Sequence, residues 1–258
     1  MRTCRRGRNV RMGKKRIMML LIFLGVVLLP CVALFADDIE SYGFGGFSIG
    51  AQWLDISDLN ASLSANGFAT FNEPTLTLGF ESYYAIKKRF VFGGEFQHFW
   101  QEATNPTYVQ KLNGYWGFFN FGYSVISKSA EGFHLYPMVG LGASRMRLRL
   151  TQRDVLDFSD IVTDPRRESY LTKWDFIVQV SLGIDYTFSF GMEENDGTGG
   201  LMFGIRTGYQ YSVTDSGWKM SSLDISGSPG VSMSGIFVRF VVGGLGNPNP
   251  EDEQERKY

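Results

Sequence analysis

Two glutamates and two arginines raise the first question of chemistry. Glu81 and Glu95 stand equally far on either side of the "KKR" turn centred on Lys88. If the flanking segments pair as a hairpin, the two carboxylates oppose each other at one cross-strand position. They would repel there, so one must hold a proton or a cation must approach. Arg206 and Arg239 have the parity to reach the same side, and Asp185 and Gln179 belong to a further polar row with the same sense. Such a set reads either as an ionic network filling an enclosed interior or as a gate or selectivity filter. At least one of the arginines is expected within salt-bridge reach of the glutamates.

A second basic group is the ladder Arg145, Arg147 and Arg149, which enters the longest link together with Arg153, Arg166 and Arg167. Counted from Val139 the ladder looks inward, although Met146, Leu148 and Leu150 below Gly140 and Gly142 leave room for a bulge. The guanidiniums could grip lipid head-group phosphates or a polyanion. Alternatively they pair with Asp154, Asp157, Asp160, Asp164 and Glu168 as the base of a loop. Nucleophile–base chemistry has little to draw on. His98 in "FQHFW" and His134 in "EGFHLYP" read as an interfacial and a turn-adjacent histidine, and no catalytic residue is expected. "GFGGFSIG" lacks the Lys-Ser/Thr of a phosphate loop, and "GMEENDGTGG" lacks the spaced ligands and terminal Glu of a calcium loop. No cofactor and no metal site is expected.

Alternation is what must position these residues. In "DFIVQVSLGIDYTFSF" every second residue from Phe176 to Phe190 is large and apolar, while Gln179, Ser181, Gly183, Asp185 and Thr187 lie between. The same period runs along eight segments: Gly43–Asp55, Thr75–Ile86, Phe90–Gln101, Lys111–Ile126, Phe133–Leu150, Trp174–Phe190, Leu201–Ser212 and Val231–Gly243. No convincing amphipathic helix interrupts them. Links after the first, third, fifth and seventh strands are the longer ones, which predicts an antiparallel meander with elaborate loops at one rim. Centring the first hairpin on Lys88 pairs Phe80 with Phe96 on one face and Glu81 with Glu95 on the other, so both strands agree on a register. The polar rows are mostly Ser, Gly, Thr, Asn and Gln, small enough for the interior of an eight-stranded barrel, and the apolar rows then face hydrocarbon. Trp53, Trp100 and Trp174 fall with outward parity at the long-loop ends, Trp116 with inward parity. Phe90, Tyr123, Phe188 and Phe190 gather at the other rim, giving two aromatic belts. A soluble barrel with the aromatics in its core is the alternative.

The termini read differently. Residues 1–16 carry eight basic and no acidic side chains, and the apolar run "IMMLLIFLGVVLLPCVALFA" follows. Residues 1–36 therefore read as a secretory signal peptide, with an uncleaved anchor as the alternative and Met12 as an alternative start. Removing those eight basic residues leaves 17 against all 26 acidic ones, a net charge of −9, which argues against a nucleic-acid partner. Both cysteines, Cys4 and Cys31, lie within the removed segment, so the exported chain has no thiol. Residues 37–246 are the expected barrel and 247–258 an acidic tail.

The last strand, "SGIFVRF", places Gly235, Val238 and Phe240 in a pattern that resembles the C-terminal insertion signal of outer-membrane barrels. Over roughly Gly43 to Gly243 the architecture resembles the small eight-stranded outer-membrane β-barrels of diderm bacteria, the class of OmpX, OmpW and the OmpA membrane domain. The chain departs from it by continuing through "VVGGLG" into the acidic tail. The resemblance implies an all-β, eight-stranded, antiparallel up-and-down transmembrane barrel. It also implies a monomer in the outer membrane, with outer-membrane lipids and the barrel assembly machinery as partners. A structural or surface-interaction role is the first expectation. A narrow channel for small or hydrophobic solutes is the second and a lipid-modifying enzyme the third.

Overall fold

Each of the eight alternating segments becomes a strand in the computed structural model, which describes residues 41–87, 89–126, 132–153, 158–163, 168–190 and 199–246. The barrel strands are β1 (Ser41–Gln52), β2 (Thr75–Ile86), β3 (Phe90–Thr104), β4 (Tyr108–Tyr123), β5 (Gly132–Gln152), β6 (Glu168–Phe190), β7 (Gly199–Ser212) and β10 (Gly235–Gly246). Two short strands, β8 (Lys219–Met220) and β9 (Leu223–Asp224), form a small hairpin between β7 and β10. Every neighbour is antiparallel, and the β5–β6 and β1–β10 pairings close the sheet. Closure removes both sheet edges, so the wall's backbone groups are satisfied without solvent.

The register fixes the geometry of the cylinder. Starting at Tyr42 and stepping around through Ala85, Val91, Gly122, Met138, Ser181, Gly208 and Phe237, the hydrogen-bonded row returns to β1 at Gln52. That stagger, with eight strands, tilts them by roughly 40° and leaves an interior that side chains alone can fill. Along the first hairpin the pairs run from Thr77–Phe99 to Ile86–Phe90 and include Phe80–Phe96, Glu81–Glu95 and Tyr83–Gly93, as the sequence register required.

The structure differs from the sequence reading in its lengths and loops. The third link is only Asn105-Pro106-Thr107, because β3 and β4 run on through residues that looked like loop. β6 begins at Glu168, well before Trp174, and β10 continues through "VVGGLG" to Gly246, where Gly246 pairs with Gly43. Two helices also appear: α1 (Ser57–Ala65) in the link between β1 and β2, and α2 (Phe158–Thr163) in the link between β5 and β6. α1 has no side-chain cap and buries only Leu59 and Leu63, one i,i+4 pair. So little apolar surface gives no periodic signal, and the helix is held by tertiary packing instead. The expected signal peptide and acidic tail lie outside the described residues.

Candidate functional site

Parity separates two chemistries, one filling the lumen and one coating the wall. Val180, Tyr186, Phe188, Phe203, Phe240 and Phe47 stand on the outside with roughly half or more of their surface exposed, and Phe47 is 80 % exposed. Along these outward rows no Lys, Arg, Asp or Glu occurs between the two aromatic belts. With the observed stagger, Trp53, Trp100 and Trp174 fall within about two residues of one height. Phe90, Tyr123 and Tyr186 lie about ten residues lower, a separation of roughly 24 Å along the axis. A lipid-facing apolar band between aromatic girdles has that height. Trp116 is buried within the lumen, as its parity required.

The inward rows build three layers. Near the long-loop rim, Phe99, Leu112, Trp116, Phe118, Met146, Leu148 and Ile177 line the wall and pack against Leu54, Ile56, Leu59, Leu63 and Phe71 from the α1 link. Trp218, Val231 and Met233 from the last link complete this cluster. Near the short-turn rim sits a second apolar layer that includes Tyr42, Phe44, Tyr83, Tyr136, Met138 and Val241. A small pocket there is lined by Tyr42, Phe44, Val91, Ser124, His134, Tyr136, Asp185 and Thr187. The lumen is thus far more apolar than the Ser, Gly and Thr rows of β4, β6 and β7 suggested. In so narrow a barrel the interior is itself a packed core, and aromatic rings fill it as they fill any other.

Glu81, Glu95, Arg206 and Arg239 lie between the apolar layers, within about two residues of the midpoint between the belts, and Asp185 lies nearer the short-turn rim. Arg206 Nη2 donates to Glu81 Oε1 at 2.5 Å, and its Nη1 donates to Asp185 Oδ1 at 2.5 Å. Arg239 Nη1 donates to Glu95 Oε1 at 2.8 Å. The sequence anticipated one arginine beside the opposed glutamates; both are there, one for each carboxylate. Glu95 also accepts from Tyr83 Oη (3.3 Å) and Asn120 Nδ2 (3.2 Å), Gln179 Nε2 donates to Asn120 Oδ1 (2.8 Å), and Tyr136 Oη donates to Asp185. All five charged side chains of this network are 5 % exposed or less. Each guanidinium also lies against rings, Arg206 over Tyr136 at 5.1 Å and Arg239 over Phe237 at 3.9 Å. Neighbouring glycines make the room: a Cβ on Gly204 would sit 2.0 Å from Asp185 Oδ1, and one on Gly183 would sit 2.2 Å from the Tyr136 ring. Tyr136 escaped the sequence reading because a buried tyrosine in an alternating strand looks like any other apolar position. Its partner Asp185, opposite His134 and one row from Gly183, was the available clue.

Lys173 is a further buried cation, and one that the sequence did not single out. Its ammonium donates to Asp215 Oδ1 and to the Val231 carbonyl, both at 2.6 Å, and lies 3.5 Å from Asp175 Oδ2. Asp175 in turn accepts from the Ser216 N–H at 2.9 Å. With β8 paired onto Leu171 and Thr172, these contacts hold the last long link over the mouth of the barrel.

The arginine ladder corrects an expectation. Pairing of β5 with β4 and β6 runs unbroken from Gln152 to Met138, with no bulge, and Val139 itself is exposed on the outer face. Arg145, Arg147 and Arg149 share its parity and therefore face outward. Arg149 pairs with Glu168, its Nη2 donating to Oε2 at 2.7 Å, which is the loop-base pairing expected of the group. Arg145 and Arg147 instead donate to Tyr115 Oη at 2.9 and 3.4 Å. The two histidines do not converge. His98 stacks on Trp100 on the outer face, whereas His134 is buried beside Tyr42 and Thr187. Among the described residues no group of His, Cys, Asp and Glu could hold a metal ion.

No protein-family profile matches the chain, and no curated protein sequence does. Among solved structures, the attachment invasion locus protein Ail of Yersinia pestis aligns over 82 % of this chain and 99 % of its own at 13 % identity, with a TM-score of 0.37. Neisserial surface protein A aligns over 82 % and 99 % at 13 % identity, TM-score 0.35. The outer membrane protein OprG of Pseudomonas aeruginosa aligns over 80 % and 95 % at 13 % identity, TM-score 0.35. What this barrel does is read from its own side chains.

Proposed function

We propose that the chain is an integral outer-membrane barrel of a diderm bacterium, exported by residues 1–36 and monomeric in the membrane, with a structural or surface-interaction role. Its α1 link, its α2 link and the link carrying β8 and β9 are the surfaces offered to the exterior. Its partners are outer-membrane lipids and, during biogenesis, the assembly machinery. One observation carries the reading against conduction. Arg206 and Arg239 reach across the lumen to Glu81 and Glu95, Arg206 also holds Asp185 on the neighbouring strand, and an apolar cluster seals the space above them. A permeating ion would have to break buried charge pairs and then cross a dry aromatic layer, each step costing several kcal/mol.

The test is electrical. Protein refolded into a planar bilayer is expected to leave the bilayer silent and to admit no sugar or amino acid into proteoliposomes. Discrete conductance steps, or swelling above protein-free controls, would support the channel reading instead.

A further inference from the structure

The ladder poses a charge problem that the barrel itself leaves unsolved. Arg145 is the charged residue nearest the apolar band on the outward face, at the height of Trp53 and Trp100, and Arg147 lies one step above it. The next row up is internally neutral: Lys111 pairs with Glu102 at 2.9 Å and Arg149 with Glu168. Among the described residues no carboxylate pairs with Arg145 or Arg147; the Nε of each is buried without a hydrogen bond, and one Nη of each donates to Tyr115 Oη, which leaves the other Nη of each for an anion. Both guanidiniums are held in place by rings. Arg145 lies over Trp174 at 5.0 Å and Tyr115 at 6.0 Å, and Arg147 over Tyr115 at 5.6 Å and Tyr170 at 6.0 Å. Two ordered, adjacent forks without an anion present the donor geometry that phosphate oxygens accept.

We propose that Arg145 and Arg147 bind the phosphate of a membrane-lipid headgroup on the outer wall, a proposal that rests on the apolar band being lipid-facing. The wall beneath them selects a lipid over a free anion. In the row just below, Gly117 and Ala143 are neighbours, flanked by Phe96 on β3 and Phe176 on β6. Two small residues between two phenylalanines make a notch that descends from the guanidiniums into the apolar band. A phosphate held by the forks places its ester-linked chain over that notch, so headgroup and tail are recognised together. Arg149, occupied by Glu168, takes no part.

Folded protein in alkyl-glucoside micelles, which contain no phosphate, tests this by titration with dihexanoyl phosphatidate, dihexanoylglycerol or inorganic phosphate. Arginine Nε–H resonances report binding. Phosphatidate is expected to shift the Arg145 and Arg147 signals and to bind at least ten times more tightly than the other two probes. R145Q/R147Q should weaken it tenfold or more, and R149Q less than twofold. If the double glutamine variant does not fold, R145K/R147K, which keeps the charge and loses the fork, should still weaken it at least threefold. Equal phosphatidate affinity in the double variants overturns the site, and equal affinity for inorganic phosphate makes it a free-anion site. Heat-modifiable gel mobility of the same samples separates the failures. A folded barrel with silent arginines refutes the phosphate site alone, whereas a chain that never forms a heat-modifiable barrel refutes the membrane reading beneath it.

Discussion

Replacing Arg206 by methionine isolates the network at the barrel's centre. The guanidinium is 1 % exposed and holds two carboxylates, Glu81 and Asp185, that are themselves 2 % exposed. Methionine fills much of the stem's volume but leaves both carboxylates buried without a cation. Breaking one buried pair by removing a single partner typically costs 3–5 kcal/mol, and here two acceptors are stranded by one change. About 4 kcal/mol is therefore expected for R206M, close to a thousandfold in the folding equilibrium. The triple variant R206M/E81Q/D185N removes the stranded charges and should recover to within about 1 kcal/mol of the original. Recovery is expected because the native network is itself imperfect: Glu81 Oε2 and Arg239 Nη2 are buried without a hydrogen bond. Reversible urea unfolding in phospholipid vesicles, followed by tryptophan fluorescence and heat-modifiable mobility, reads the differences, provided the denaturant slope is unchanged. A loss below about 1 kcal/mol for R206M, or a triple variant as damaged as the single one, would refute the claim that this arginine neutralises the lumen.

Three further outcomes follow from the same geometry. Gly204→Ala pushes a methyl group against Asp185 and Arg206, and should lower stability by about 1–3 kcal/mol in the same assay, whereas alanine at the open Gly217 should be silent. Lys173→Met removes the clamp on the last long link, so amide exchange at Ser216–Asp224 should speed up severalfold while that of β6 below Phe176 stays unchanged. Trp174→Ala takes away both a belt residue and the ring beneath Arg145, and should slow vesicle insertion, with tryptophan fluorescence of the remaining indoles as the readout.

How far the sequence reached depended on which physical constraint spoke locally. Strand parity was legible because a two-residue period leaves no freedom once one face is buried, so Gln179, Asp185, Arg206 and Arg239 could be placed inside before any fold was known. The Glu81–Glu95 juxtaposition was legible because a three-residue turn sets a register. Which guanidinium meets which carboxylate was not, since that depends on the stagger of the whole cylinder. Arg145 and Arg147 were read toward the lumen by counting from Val139, but Val139 itself faces outward and the unbroken β4–β5–β6 ladder contains no bulge to turn the row. α1 and the Lys173 clamp were invisible for a different reason. Leu59 and Leu63 carry too little apolar pattern to predict a helix, and Lys173 finds Asp215 only after a long link has folded back.

A nitroxide scan of β6 from Phe176 to Phe188 in lipid vesicles tests the central claim most directly. Collision with oxygen, which concentrates in hydrocarbon, should rise and fall with a two-residue period, with maxima at Val178, Val180, Leu182, Ile184 and Tyr186. Gln179, Ser181 and Asp185 should be accessible neither to oxygen nor to a water-soluble nickel chelate. Maxima for the nickel chelate at the even positions, or no alternation at all, would mean that this apolar stripe does not meet lipid and that the barrel is not a membrane protein.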